Sequence, residues 1–389
     1  MKKFIYIIDG ARTGIANPYK GLKSITVGEM SAAVIEALVS RNRIKPASVR
    51  EVIFGNTVSA GTGQNFTRQA IHLAGLPSSI PGYAVDHVCV SGMQSVMIAA
   101  NNLLAGRDGI FIAGGAESAT HTPNILSKDE SSKPEDKIPV DSLIYDGLWC
   151  VISGRHVGQL CEELARKEKI GREAQDVFAL NSHQKTCAAI REGKFLKEIV
   201  PVRIAAAKIF EKDDRPRKNI SLEKLAGLPP VFHKEGTITA GNASIPCDGA
   251  AALALADKDT VRKGRLKSRA RILGYATAAV EAKDVFASAP LAVREVLKIT
   301  GKTMKDIDLF EIGESFSAQA IYAQNTLKIP DEKMNVWGGD VALGHPLGAV
   351  GARILVTLIH ALEDQKRKRG VACVCAGGTG SVSFLVERT

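Results

Sequence analysis

The sequence predicts an α/β protein: two copies of one layered half packed around a pseudo-two-fold axis, with a helical segment inserted between them. Three observations carry this. Apolar strand-like runs alternate with runs of helical period along the chain, the pattern of strands covered by helices. The pattern also occurs twice. "SGMQSVMIAANNLLAG" followed by "RDGIFIAGGAES" (91–118) answers to "PLGAVGARILVTLIHALED" followed by "KRGVACVCAGGTGS" (346–381), each a helix, a strand and a glycine turn. Between the copies, over residues 121–248, the alternation gives way to polar loop and amphipathic helix.

The elements follow in order. "FIYIID" (4–9) opens as a buried strand; Asp9 and Arg12 end the apolar run and no small-residue cleavage site follows, so it is not read as a secretion signal. "GEMSAAVIEALVSRNRIKPASVREVIFGN" (28–56) predicts a helix, a short connection and a strand ending in glycine, and "APLAVREVLKITGKTMKDIDLFEIGE" (289–314) repeats it. The polar stretch "HTPNILSKDESSKPEDKIPVDS" (121–142) predicts an exposed loop. Helices are expected around "HVGQLCEELARKEK" (156–169) and "REAQDVFALNSHQKTCAAIREGK" (172–194), and "TAGNASIPCDGAAALALA" (239–256) as a glycine-rich turn entering a strand. The resulting division is an N-terminal α/β half (1–120), an inserted loop domain (121–248) acting as lid or cofactor platform, and a C-terminal α/β half (249–389).

Composition narrows the function classes. The chain has 389 residues, 45% hydrophobic and 24% charged, an ordinary globular balance. No run approaches the roughly 18 apolar residues of a membrane span, and a cytoplasmic enzyme is the expected class. Seven cysteines at irregular spacing do not form a disulfide framework, and Cys373-x-Cys375 has no partner pair at zinc-ligand spacing. The net charge of +10 is dispersed without a nucleic-acid-binding motif, and aromatics at 5% argue against base stacking. A basic chain also suits a small polyanionic, nucleotide-bearing ligand.

The chemistry-bearing residues sit at equivalent places in the two copies. Cys89 ("DHVCVSGMQS") precedes the first repeated helix and His345 ("GGDVALGHPLGAVG") the second. A buried cysteine there can be a small hydrophobe, or a thiol that a helix N-terminus turns into a nucleophile. Packing the halves about a pseudo-two-fold axis sets the Cys89 loop facing the His345 loop, thiol against imidazole. Cys375 ("CVCAGGTG") lies before a glycine turn whose backbone N–H groups can approach an oxyanion.

These stretches, with "GARTGI", "GNTVSAGTGQNFTRQ", "GGAESAT", "QDVFALNSHQK", "EIVPV", "TAGNAS…DGAAAL" and "GESF", resemble the thiolase family over essentially the whole chain. The resemblance implies Cys89 as acyl-accepting nucleophile, His345 as the base that activates it, and Cys375 as the second thiol serving the carbon acid. It implies an oxyanion hole from the N–H groups of Cys89 and Gly377. It places Ser244, Arg217, Leu148 and His156 along the coenzyme A path, and Phe316 in the pocket. Coenzyme A thioesters are then substrates, with no metal or other cofactor, and the chain forms a homodimer or homotetramer.

The implied reaction is reversible condensation of two acetyl-CoA to acetoacetyl-CoA, with ping-pong kinetics. The alternatives are thiolysis of longer 3-ketoacyl-CoA, a different acyl-CoA condensation, and a weakened coenzyme A-binding protein of this fold. A ketoacyl synthase fits less well, because it would pair one cysteine with two histidines or His/Asn. Departures from the family pattern bear on rate. Gly313 stands where the family carries an Asn that orients a water for a second oxyanion hole; losing one such donor typically costs ~10²–10³ in rate. Thr379 replaces a glycine, Asp86 an Asn, and Trp337 and Asp340 flank "GG" in place of smaller or neutral residues. Val157 and Phe286 stand where methionines are common. A carboxylate at Asp86 would oppose a Cys89 thiolate if it faced it.

Overall fold

The computed structural model describes residues 4–126, 138–206, 208–378 and 380–389. The middle of the expected loop over 121–142 and Thr379 therefore lie outside the described residues.

The first half supplies β1 (Ile5–Thr13), α1 (Val27–Arg41), β2 (Val49–Gly55), α2 (Phe66–Leu73), β3 (Gly82–Val85), α3 (Ser91–Leu104) and β4 (Ile110–Glu117). The insert carries α4 (Val157–Lys167), α5 (Arg172–Arg191), the two-residue β5 (Ile199–Val200) and the short α6 (Leu222–Ala226). The rest supplies β6 (Gly249–Asp257), α7 (Lys258–Gly264), β7 (Ala270–Ala279), α8 (Ala289–Thr300), β8 (Leu309–Ile312), α9 (Ser317–Leu327), α10 (Asp340–Leu343), α11 (Leu347–Asp364), β9 (Arg369–Ala376) and β10 (Gly380–Arg388).

The strands run in the order β8-β9-β10-β7-β1-β6-β4-β2-β3, with β5 beside β1. Read outward from the β1–β7 seam, the two arms repeat one topology, as the internal repeat predicts. One boundary differs from the sequence reading. β6 (Gly249–Asp257) pairs with both β1 and β4, so it completes the first half, and the second half starts at β7. The glycine turn before β6 reads like a domain start because a strand returning from an insertion looks locally like any other.

Alternation along the strands sorts residues into layers. In β4, Phe111 and Ala113 join a central core with α3 and α11, while Ile110 and Ile112 face the outer layer with α1 and α2. In the second arm Val374 and Phe384 point to the same central layer; Val371 and Leu385 point outward to α8 and α9. α11 is buried from Leu347 to Leu362, as expected of a helix apolar all round.

α3 and α11 meet at backbone distance. A Cβ on Gly92 would fall 2.9 Å from the Gly348 carbonyl oxygen, and one on Gly351 would fall 2.7 Å from the Met93 nitrogen. Glycine on both helices permits this approach, and it brings the two helix N-termini to the same end of the central layer. Among the described residues no helix is long and apolar enough to cross a membrane.

Candidate active site

The Cys89 loop is shaped by backbone strain. Val88 has φ +50°, a left-handed conformation that is a genuine outlier for a β-branched residue. Its neighbours hold it there. Asp86 Oδ1 accepts from the Val88 N–H (2.9 Å), Ser91 Oγ accepts from the His87 N–H (2.8 Å), and the Ser91 hydroxyl donates to the Val88 carbonyl (2.5 Å). The bend sets Cys89, only 8% exposed, just ahead of the first turn of α3. Asp86 is exposed and engaged in shaping this turn.

The His345 loop is shaped by buried charge. Gly344 has φ +99°, and a Cβ there would fall 2.5 Å from the Cys247 sulfur. His345 is stitched to the end of the insert: its N–H donates to the Ile245 carbonyl (2.9 Å), and its carbonyl accepts from the Cys247 N–H (3.3 Å). Its Nδ1 stands 3.6 Å from Asp340 Oδ2, and the Cys89 thiol is the other polar group acting on the ring. Neither ring nitrogen has a hydrogen bond of standard geometry. Burial alone would lower the imidazole, but Asp340 and Cys89 together push it up to about 10.

Behind Asp340 lies an ionic network. Arg353 Nη2 donates to Asp340 Oδ1 (2.5 Å) and Nη1 to Glu311 Oε1 (3.2 Å); the Glu314 N–H donates to Asp340 Oδ2 (2.9 Å). The Glu314 carboxylate fills the space a Gly339 side chain would take, and accepts from Asn335 Nδ2 (2.6 Å), the Ser182 hydroxyl (2.8 Å) and the Val341 N–H (3.1 Å).

Cys375, at the end of β9, faces its register partner Ser381 on β10. The Ser381 hydroxyl donates to the sulfur (3.1 Å), Ser288 Oγ lies 3.9 Å from it, and the two hydroxyls are 2.5 Å apart. Burial pushes the thiol up, the serine hydroxyls oppose this, and a charge on Cys89 adds to the rise. Sequence reasoning missed both serines; the hairpin "CAGGTGS" was the available signal for Ser381. Among the described residues, none accepts from the backbone N–H of Cys89 or Gly377.

The residues expected along the coenzyme A path are partly gathered. His156 stacks on Phe232 (4.9 Å), which meets Phe316 edge-on (5.9 Å), and Phe316 meets Phe286 the same way (5.3 Å). Phe232, missed from sequence, is thus the bridge. Val157 touches the same cluster, lying where a Gly377 side chain would sit. His156 also caps α4, its Nδ1 accepting from the Gly158 N–H (3.0 Å). Ser244 donates its hydroxyl to the Ser315 carbonyl (2.9 Å), and Leu148 packs between the central and outer cores. Arg217 is exposed, its backbone N–H donating to His183 Nδ1 (3.1 Å).

Comparison with known proteins supplies the family. Residues 5–259 match the thiolase N-terminal domain and residues 266–388 the thiolase C-terminal domain. The chain belongs to the thiolase family. It is 40% identical to an acetyl-CoA acetyltransferase of Cupriavidus necator over 99% of each chain, and 39% identical to one of Escherichia coli over 98% of each. Its fold is similar to the crystal structure of the Bacillus anthracis acetyl-CoA acetyltransferase (TM-score 0.96, 35% identity, covering 100% of this chain and 99% of that one). It is similar too to an Ascaris suum thiolase solved with coenzyme A (TM-score 0.93, 36% identity, 100% of each chain).

Two departures of this thiolase now have physical settings. Gly313 donates its N–H to the Cys373 carbonyl (2.8 Å), and a Cβ there would press within 3.0 Å of Val374 Cγ2. Trp337 meets Phe195 at right angles (5.6 Å), and the Arg12 guanidinium lies over the Phe195 ring (5.0 Å). It is a core residue.

Proposed function

We propose that this thiolase transfers an acyl group between coenzyme A thioesters through an acyl-Cys89 intermediate, with acetoacetyl-CoA the substrate of the cleavage direction. The observation that carries the reading is the convergence of three groups: the Cys89 thiol, the His345 imidazole acting on it, and the buried Cys375 thiol, which belongs to the outer core but lies within the field of Cys89. Relatives spanning the whole chain carry the name acetyl-CoA acetyltransferase.

In cleavage, the Cys89 proton passes to His345 and the sulfur adds to the keto carbon. The bond to the neighbouring carbon breaks, its electron pair stays on that carbon, and Cys375 supplies the proton that completes acetyl-CoA. Coenzyme A then gives its thiol proton to Cys375 and attacks the acyl group. Cys89 leaves and recovers its proton from His345. Condensation is the reverse. Burial keeps Cys375 protonated at neutral pH, as a donor must be, and Ser381 and Ser288 steady the thiolate it leaves. The N–H groups of Cys89 and Gly377 are the donors for the oxyanion. No step calls for a resident cofactor.

The test is intact-protein mass after mixing with acetoacetyl-CoA, with thiolysis followed in parallel. An acetyl adduct maps to Cys89, and Cys89→Ala loses the adduct and at least ~10³-fold of turnover. A wild-type chain that binds coenzyme A without adduct or turnover overturns the reading in favour of a binding protein. Faster thiolysis of an eight-carbon substrate than of acetoacetyl-CoA overturns the short-chain assignment. The same proposal places the protein in the cytoplasm as a homodimer or homotetramer, and a monomer mass by light scattering contradicts the assembly.

A further inference from the structure

We propose that Asp340 is a positioning residue for the nucleophile: with Arg353 behind it, its carboxylate holds the His345 imidazole in the charged form that pairs with a Cys89 thiolate. The proposal deepens the acyl-transfer reading and rests on it for the identity of the nucleophile.

The geometry is a chain of four groups with alternating charge. Arg353 meets Asp340 at 2.5 Å, Asp340 Oδ2 stands 3.6 Å from His345 Nδ1, and the Cys89 thiol acts on the same ring. Arg353 is 1% exposed and Asp340 is fully buried. Ionising the thiol onto the imidazole turns an arginine–carboxylate pair into two such pairs in series, with no net charge added to the interior. Without the carboxylate, the imidazolium would sit between a thiolate and a buried guanidinium, and the neutral thiol–imidazole state would win.

The other groups packed around the ring do not substitute for it. Glu311 shares Arg353 from the far side at 3.2 Å. Burial pushes it up to about 8 even against the pull of Arg353, so at neutral pH it is largely protonated. Burial would also raise Asp340, but Arg353, then His345 and the Glu314 N–H, hold it down to about 2. Two carboxylates on one guanidinium are thus driven apart, and the one facing the imidazole keeps the charge. Glu314, likewise pushed up by burial, is engaged with Asn335, Ser182 and Val341. Cys247, behind Gly344, is driven up to about 12 by burial despite Arg215 and stays neutral.

The proton moves from Cys89 sulfur to the imidazole; Asp340 stays ionised throughout and takes no proton. It shifts the balance between the ion pair and the neutral pair, and that balance is measurable without any coenzyme A substrate.

The experiment is the rate of Cys89 alkylation by iodoacetamide from pH 5 to pH 10, mapped by peptide mass, in wild type, Asp340→Asn and Glu311→Gln. With Asp340→Asn the rate at pH 7 falls about tenfold or more, one pKa unit of imidazolium stabilisation being a factor of ten, and the curves converge above pH 10. Glu311→Gln, which loosens the same arginine without facing the ring, leaves the profile in place. A folded Asp340→Asn that alkylates like wild type overturns the proposal. If that variant fails to fold, Asp340→Asn with Arg353→Met removes both charges together; it must still lose rate at pH 7, by less than the single variant because the opposing guanidinium is gone too, and a wild-type profile there overturns the proposal equally. Because the readout needs no acyl transfer, failure of the acetyl-adduct experiment leaves this outcome legible.

Discussion

The Cys89 and His345 loops occupy the same place in the two halves, each immediately before a central helix, yet they are held in opposite ways. The Cys89 loop lies beside an edge strand. It is held by backbone: a left-handed Val88 pinned by one exposed carboxylate and one serine hydroxyl. The His345 loop is buried, held by an arginine with two acids and a third acid, Glu314, against Gly339. In the proposed reaction a nucleophile needs a fixed direction and room for substrate, which local hydrogen bonds supply at Cys89. A base needs a tuned charge, which requires charged neighbours out of water, as at His345.

The comparison can be broken most sharply from the buried side. Asp340→Ala leaves Arg353 short of its closest partner and should lower unfolding free energy by about 3–5 kcal/mol, read by denaturant melts. An effect under 1 kcal/mol would mean that charge does not hold this loop.

Next in size is a pH effect. The folded value of Glu311, about 8, lies above its ordinary 4.5. Its contribution to stability is therefore full below about pH 4.5 and is lost as pH rises through 8. His345, raised from 6.5 to about 10, loses its share from pH 6.5 upward through 10, so wild type weakens with pH on both accounts. Glu311→Gln should flatten the part between pH 5 and 8, by about 2 kcal/mol, an upper limit from the shift being larger. Melts at matched ionic strength check it; equal slopes would contradict the buried acid.

The smallest effect belongs to the exposed loop. Asp86→Ala removes one acceptor from the Val88 N–H and should cost about 1 kcal/mol, while slowing Cys89 acylation severalfold as the bend relaxes. A stability loss matching that of Asp340→Ala would erase the distinction between the two loops.

Much of this was legible in the sequence, and the limits follow a physical rule. The helices expected at 156–169 and 172–194 form as α4 and α5, within a few residues, because helical period reports a local face. The duplication alone sets Cys89 and His345 at equivalent helix starts, and in the structure the thiol acts on the imidazole. What depends on pairing across long separations was not legible. Ser381 reaches Cys375 through hairpin register, and Ser288 comes from another helix start. Phe232 joins His156 to Phe316 from a loop without periodicity. Asp340 and Asp86 both stand out of pattern in the sequence. Folding separates them: one is buried beside the imidazole, the other exposed and engaged with a backbone N–H.

The glycine crossing of α3 and α11 has a consequence in time. Cys89 leaves the ribosome with the first half, whereas Asp340, His345 and Arg353 follow about 250 residues later. Until Gly92 packs against Gly348, the Cys89 thiol has neither His345 beside it nor the charges behind that ring. Until then Cys89 has only the reactivity of an ordinary thiol, and docking of the second half brings in the groups that act on it.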